Sequence, residues 1–128
     1  MCAAQTSDIF SAVEDSSPVE QVETIMSIIA GKWKPAIIYA LVTDGPLRFV
    51  ALRRRIPKVS QRMITRQLRD LERYGIVQRT YQAANPSHAE YSLTSLGRSL
   101  HPIFKSVCDW AAKNFPDVEG ARARYRGA

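Results

Sequence analysis

Apolar residues recur at helical spacing on both sides of a proline-containing break near the middle of the chain. Phe49, Leu52 and Ile56 fall on one side of a first helix. Pro57 cannot continue that helix because it lacks a backbone N–H, and Ser60 offers a hydroxyl to cap the next one. The buried stripe predicted for the second helix is Ile64, Leu68 and Leu71. Two short helices joined in this way predict a helix-turn-helix.

The second helix of this motif carries polar side chains opposite its apolar stripe. The helical repeat brings four of them within one arc, and they are Arg62, Thr65, Arg66 and Arg69. A solvated surface helix is the plain alternative for any single arginine. Four aligned polar positions inside this motif favour a DNA-binding face.

Two further helices are predicted before the motif. The run 17–20, Ser-Pro-Val-Glu, has the composition of a capping box and should begin the first helix, which Gly31 can end. The apolar stripe of this helix is Val22, Ile25, Met26 and Ile29. A second helix is expected over roughly 33–42, closed by the Asp-Gly-Pro turn at 44–46, and residues 47–48 can add a short strand. Its inward residues are Ile37, Ile38 and Leu41.

After Gly75 the apolar period changes from helical toward two. Residues 76–81 and 90–93 predict short strands, joined by a loop over 83–88. A hairpin that directly follows the helix-turn-helix is typical of a wing. The elements together predict a mainly α fold with a small β-hairpin, an α+β fold organised as a winged helix-turn-helix.

A last helix should begin after Thr94, which can cap it, and run to about Phe115; Pro102 should bend this helix or mark its true start. One apolar row on it is Leu100, Ile103, Val107 and Trp110. A second row beside the first is Phe104, Cys108, Ala111 and Phe115. One row is enough to pack the helix on its own domain, so two rows suggest that one is buried against another chain.

Charge is concentrated on the predicted helix-turn-helix. The chain has 18 basic and 12 acidic residues, a net charge of +6. Residues 48–79 hold ten Arg or Lys against two acids, a net +8 that leaves −2 for the rest of the chain. A cluster this local predicts a polyanionic partner.

Residues 1–16 predict a flexible tail and 116–128 a basic, frayed one, which leaves 17–115 as a single domain with one core.

Several function classes lack support in the sequence. No glycine-rich phosphate loop, nucleophile elbow or metal-ligand spacing occurs, so we expect neither an enzyme nor a bound cofactor or metal. No apolar run approaches the ~20 residues that cross a bilayer, and the N-terminus lacks signal-peptide features, so we expect a cytoplasmic protein without a membrane partner. Cys2 and Cys108 form no CxxC pair. Cys108 is expected to pack as a small hydrophobe, with redox sensing as the alternative if it is exposed near positive charge.

The residue types on the basic helix suit base and phosphate contacts. Arg62 and Arg66 carry planar forks that fit guanine O6 and N7, and Gln61 can pair with an adenine edge. Arg69, further along the helix, is expected to contact mainly the DNA backbone, and Ser60 can meet a phosphate through its amide. For the run 53–55 of three arginines, phosphate contact and interaction with the carbonyl end of their own helix are equally supported.

Five blocks carry a family resemblance, and in chain order they are AGKWKPAIIYAL, GPLRFVALRRRIP, VSQRMITRQLRDLERYGIVQR, EYSLTSLGRSLHPIF and CDW. They resemble the HxlR-type winged-helix transcriptional regulators of bacteria and archaea, from about Ser17 to Phe115. The resemblance implies a homodimer joined by N- and C-terminal dimerisation helices, with a recognition helix in the major groove and a wing near the minor groove of each half-site.

The resemblance also implies roles for individual residues. The DNA-binding residues that it implies are Ser60, Gln61, Arg62, Thr65, Arg66 and Arg69 on the recognition helix and Asn85, Ser87 and His88 on the wing. Arg79, in the basic segment, is also predicted to bind DNA. The predicted dimer interface comprises Val22, Ile25, Met26, Leu100, Ile103, Val107 and Trp110. Oxidant-sensing members of the family typically have a cysteine where this chain has Ser17. A serine hydroxyl forms no disulfide, so the thiol switch is not expected here and Ser17 is interpreted as a helix cap.

Two functions remain open at this level. One is a dimeric, sequence-specific regulator on a pseudo-palindromic operator of double-stranded DNA, and the other is a winged-helix module whose basic face binds an acidic protein. The signal could be a small aromatic or electrophilic compound bound between the terminal helices and the winged domain, or protein concentration alone.

Overall fold

The computed structural model describes residues 17–82 and 85–127, and for 82 and 85–87 it describes the backbone only. The helices and strands in chain order are α1 (Pro18–Ile29), α2 (Lys34–Asp44), β1 (Leu47–Arg48), α3 (Phe49–Arg55), α4 (Gln61–Arg73), β2 (Val77–Gln82), β3 (Asn85–Leu93), α5 (Ser95–Arg98) and α6 (His101–Arg124). The tail predicted over 1–16 and the middle of the predicted wing loop, 83–84, lie outside the described residues.

Helix α1 begins at the predicted capping box. The Ser17 hydroxyl accepts a hydrogen bond from the Glu20 N–H at 3.1 Å, and the Glu20 carboxylate accepts one from the Ser17 N–H at 2.9 Å. Each side chain therefore satisfies a backbone donor that the first turn of a helix would otherwise leave without a partner. The interpretation of Ser17 as a cap is confirmed.

We expect Ser17→Ala to lower the free energy of unfolding by ~0.5–2 kcal/mol, the usual cost of losing such a cap. Chemical denaturation followed by circular dichroism measures this loss. Ser106→Ala is the matched control, because Ser106 is an exposed serine within α6. An equal loss of stability in both variants would contradict the capping role.

The core lies where α2, α3 and α4 meet. Its most deeply buried side chains are Ile37, Ile38, Leu52, Ile64, Leu68 and Leu71, each less than 2% exposed. Burial of each such side chain contributes roughly 1.5–3 kcal/mol. The stripes predicted for α2 and α4 are therefore confirmed, and three buried residues fix the orientation of α4 about its own axis.

A small antiparallel sheet lies beside these helices, with the strand order β1-β3-β2. The predicted strand at 47–48 is confirmed, because Leu47 pairs with Tyr91 and Arg48 with Glu90. Strand β3 begins at Asn85, earlier than the predicted residue 90, and Tyr81 still pairs with Ala89. The prediction was wrong here because antiparallel pairing uses backbone groups, which polar residues supply as well as apolar ones.

The predicted last helix is divided in two. The Thr94 hydroxyl caps α5 by accepting from the Gly97 N–H at 2.9 Å, as expected, but α5 ends at Arg98. Pro102 lies in the first turn of α6, where its missing N–H costs nothing, so it marks the start of that helix. Gly97 lets α5 approach the backbone just before β2, since a Cβ there would be 2.2 Å from the Ile76 carbonyl oxygen.

Two predictions about this region were wrong. Leu100, assigned to the dimer interface, lies between α5 and α6 and is only 9% exposed, because it packs into the subunit's own core. The C-terminal boundary at Phe115 is also misplaced, because α6 continues through Pro116 to Arg124. The Ala- and Arg-containing end of the chain has good helix propensity, and the Glu119–Arg122 ion pair at 3.2 Å adds support.

The remaining residues predicted for the dimer interface are exposed apolar residues. They are Val22, Ile25 and Met26 on α1 and Ile103, Val107 and Trp110 on α6, and we call these two sets the exposed apolar face on α1 and α6. Trp110 is 61% exposed, and none of the residues of α6 is buried in the single chain. An apolar surface this extensive is unusual on an isolated domain.

Among the described residues no single helix is long and apolar enough to cross a membrane; α1 and α2 meet that test only as a pair, bent by 75°.

Candidate nucleic-acid interface

The polar face of α4 is open to solvent. Gln61, Arg62, Arg66 and Arg69 are exposed and Thr65 is half-buried. Together with Asp70 and Arg73 they line one shallow surface depression. The structure thus brings the predicted residues of this helix together on the side opposite the core. Their contact with DNA stays a prediction.

Ser60 stands at the N-terminus of α4 and caps it. Its hydroxyl accepts from the Met63 N–H at 3.1 Å. The predicted contact from the Ser60 backbone amide to a phosphate would lie at the positive end of the helix and stays a prediction.

Lys34, which the sequence interpretation missed, holds α4 against α2. Its side chain is largely buried, and its ammonium lies 3.3 Å from the Asp70 carboxylate. Arg73 also lies 3.3 Å from that carboxylate. Asp70 is an acid on an otherwise cationic face of α4. This exception in the sequence could have indicated that Asp70 pairs with a cation from another part of the chain. The pair fixes where α4 sits without neutralising Arg62 or Arg66.

The three arginines at 53–55 separate into different environments. Arg55 forms an ion pair with Asp44 at the end of α2. Arg53 points toward the start of α4, with its Nη1 3.5 Å from the Gln61 Oε1, while Arg54 is exposed. Arg55 therefore has a structural partner, and Arg53 and Arg54 extend the cationic surface beside the N-terminus of α4.

The wing adds basic residues next to α4. The Arg48 Nη2 lies 2.6 Å from the His88 Nδ1, so β1 places a cation beside the wing. From the sequence, Arg48 was counted only as part of the net charge of residues 48–79. His88 is exposed, and its predicted DNA contact stays a prediction. The side chains of Asn85 and Ser87 are outside the description, so their predicted roles stay predictions.

Arg79 connects the wing to α4. Its Nε is 3.3 Å from the Glu72 carboxylate, and its guanidinium lies over the Tyr81 ring at 5.9 Å. The Glu72 carboxylate raises the pKa of Arg79, although desolvation opposes this, and the group stays a cation. Arg79 thus has a positioning contact between α4 and β2, and its predicted DNA contact stays a prediction.

Cys108 is exposed on α6 and does not pack as a core residue. The expectation that it packs as a small hydrophobe was wrong because Cys108 is exposed in the single chain, although Phe104 in the same row packs against the core. Lys105 lies three positions earlier on the same helix, and Lys105 and Cys108 both line one hollow in the surface. Redox sensing by Cys108 stays a hypothesis.

The described residues contain no group of three His, Cys, Asp or Glu that could hold a metal ion.

Comparison with known proteins identifies the family. The model of the HxlR-like helix-turn-helix family matches residues 28–119. The chain belongs to the HxlR-like family. YdeP of Bacillus subtilis, an HTH-type transcriptional regulator, is 47% identical over 92 residues, which cover 72% of this chain and 71% of YdeP. An HTH-type regulator of Methanothermobacter thermautotrophicus is 45% identical over 89 residues, covering 70% and 67%.

Solved structures confirm the HxlR-like fold as a winged helix-turn-helix. The redox regulator HypR in its reduced form superposes with a TM-score of 0.69 at 41% identity, covering 78% of this chain and 98% of HypR. A regulator of the MarR family from Enterococcus faecalis superposes with a TM-score of 0.68 at 27% identity, covering 84% and 96%. The predicted family and fold class are therefore confirmed. The relatives are described as transcriptional regulators, and none of these descriptions indicates catalysis.

Proposed function

We propose that the protein is a sequence-specific, DNA-binding transcriptional regulator that acts as a homodimer on a pseudo-palindromic operator. The observation that carries this proposal is the exposed row of Gln61, Arg62, Arg66 and Arg69 on a helix whose other face is buried. Rigid support matters because base readout requires donors that are already in position. In this proposal α4 enters the major groove and the wing, at about 83–88, lies near the minor groove.

The homodimer is supported by the exposed apolar face on α1 and α6. These two helices lie toward the two ends of the described chain, and the predicted interface residues Val22, Ile25, Met26, Ile103, Val107 and Trp110 are left exposed on them. Pairing of two subunits would remove this surface from water and present two copies of α4. A regulator of this kind acts in the cytoplasm, where the DNA is, and needs neither a cofactor nor a catalytic residue.

HypR is described as a redox regulator, but redox regulation is not proposed at Ser17 of this chain. The Ser17 hydroxyl is occupied as a helix cap and has no thiol chemistry. If the protein responds to oxidants, Cys108 is the described cysteine available for it.

Selection of bound sequences from random duplex DNA tests the proposal. We expect an inverted repeat whose half-sites are about one helical turn apart, ~34–36 Å. Affinity for the selected duplex should fall with salt at a log–log slope of roughly −0.9 for each phosphate neutralised. Band shifts against a scrambled duplex supply the control.

Two results would contradict the proposal. One is the absence of any enriched sequence. The other is equal binding to the selected duplex, the scrambled duplex and an acidic polypeptide such as poly-glutamate, which would favour a protein-interaction module with an acidic partner.

A further inference from the structure

A cleft separates the winged domain from the start of α6. It consists of two adjoining hollows of about 400 and 200 Å³, which share Val42 and His101 in their walls. The larger hollow reaches Leu93 and Arg98, and the smaller one reaches Phe104. We call it the α2–α6 cleft. Its size falls in the range of small-molecule sites, ~300–1,000 Å³.

The walls of the cleft are mainly apolar, and its charged lining residues are all basic. Leu41, Val42, Leu93 and Phe104 supply apolar surface, whereas Arg98 and Lys105 supply cations. Lys105 is paired with Asp109 of α6 at 3.0 Å, so Arg98 is the cation whose charge no carboxylate among the described cleft residues offsets. No Asp or Glu is among the residues that line either hollow. Apolar walls with a few converging donors suit a ligand that has an apolar body and one anionic group.

Arg98 is held in place to receive such an anion. Its Nη1 donates to the Leu93 carbonyl at 2.8 Å, and its Nη2 donates to the Ser95 hydroxyl at 3.2 Å. Both acceptors are neutral, so these bonds orient the guanidinium without cancelling its charge. A guanidinium has five N–H donors, so these two bonds do not exhaust its capacity. His101, on the first turn of α6, lines the same hollow as Arg98.

We propose that the α2–α6 cleft binds a small aromatic carboxylate. The carboxylate would be recognised by Arg98 and His101, and the ring would pack among Val42, Leu93 and Phe104. Carboxylate is the anion that a guanidinium fork matches geometrically. An aromatic ring suits the cleft because the smaller hollow offers the Phe104 and Tyr39 rings, against which it can pack in an offset or edge-to-face manner.

The walls of the cleft connect the ligand to the DNA-binding surface. Helix α2 forms one wall and also carries Lys34, which pairs with Asp70 of α4. Strand β3 forms another wall and continues into the wing. The third wall is the start of α6, which carries part of the exposed apolar face. A ligand bound in the α2–α6 cleft would therefore change the position of α6 relative to the winged domain and, with it, the affinity for DNA. This consequence rests on the proposed function.

Isothermal titration calorimetry of the full chain with benzoate tests the site directly. We expect saturable binding of one benzoate per chain, and binding of the neutral isostere benzamide that is weaker by about tenfold or more. His101→Gln should weaken benzoate binding by about tenfold because His101 is exposed and its loss does not disturb the core. Lys113→Gln, an exposed cation on α6 outside both hollows, is the matched control and should bind benzoate normally.

A second variant keeps the test independent of the charged groups. Val42→Phe fills the wall that both hollows share and should abolish benzoate binding, while circular dichroism reports that the chain is folded. The absence of saturable benzoate binding by the wild type would overturn the proposal. So would benzamide binding equal to that of benzoate, or a folded Val42→Phe variant that binds benzoate normally.

The regulatory consequence has its own measurement. Affinity for the selected duplex is determined with and without saturating benzoate, and we expect a change of about fivefold or more, the usual size of coupling between two sites. Benzoate that binds but leaves the DNA affinity unchanged would overturn the regulatory role of the cleft. Calorimetry needs no DNA, so a failure of benzoate binding is distinguished from a failure of DNA binding.

Discussion

Arg62→Ala and Arg66→Ala should each weaken binding to the selected duplex by ~1–3 kcal/mol and relax the preference for particular bases. Both side chains are exposed on the first turns of α4, where residues of a recognition helix reach base edges. Alanine removes the guanidinium but keeps the helix, because neither residue contributes to the core. Band shifts with the selected duplex and with single-base variants measure affinity and preference together.

The matched control for these two variants is Arg126→Ala, which removes an exposed arginine beyond the end of α6. It changes the net charge by the same amount, so it reports what charge alone contributes. We expect its affinity and base preference to stay close to those of the wild type. If Arg62→Ala and Arg66→Ala bind like Arg126→Ala, then α4 does not read the DNA sequence.

Arg69 should behave differently from these two arginines. It is exposed further along α4, so its expected contact is with the backbone. A phosphate contact carries no base information, which means that its loss lowers affinity equally for all sequences and makes the salt slope less steep by about one. The three arginines together therefore distinguish readout from electrostatic attraction on one helix.

The helix-turn-helix could be predicted from the sequence because its determinants are local. The spacing of Ile64, Leu68 and Leu71 specifies which side of α4 is buried, and the caps at Ser17, Ser60 and Thr94 mark helix starts within a few residues. The cationic face of α4 follows from the same spacing. The fold class could be predicted from the same local determinants, whereas the family was predicted from the resemblance of five sequence blocks.

Contacts between distant segments could not be predicted in this way. Lys34 and Asp70 are 36 positions apart, and only the packing of α2 on α4 brings them together. The pairing of Arg48 with His88 likewise depends on β1 joining the sheet beside β3. Leu100 had the right spacing for the apolar row of α6, but the chain turns after α5 and directs it into the core. Periodicity specifies a face only where the helix is continuous.

Replacing Val107 and Trp110 by glutamate together should convert a dimer into a monomer and weaken binding to the full operator by roughly 10²–10⁴-fold. Both residues belong to the exposed apolar face, and a buried carboxylate without a partner would oppose association strongly. The loss in affinity follows because two linked recognition helices bind as one unit, whereas separate subunits bind each half-site alone. Sedimentation velocity measures the mass, and band shifts measure the affinity.

This test separates assembly from folding because α6 has no residue buried in the single chain. The double variant should therefore keep the helical content and the core of the wild type by circular dichroism. Ala112→Glu is the matched control, since the helical repeat places residue 112 on the side of α6 away from Val107 and Trp110. A monomeric double variant that binds the full operator as tightly as Ala112→Glu would show that one subunit suffices, and the inverted repeat expected in the operator would then lose its physical basis.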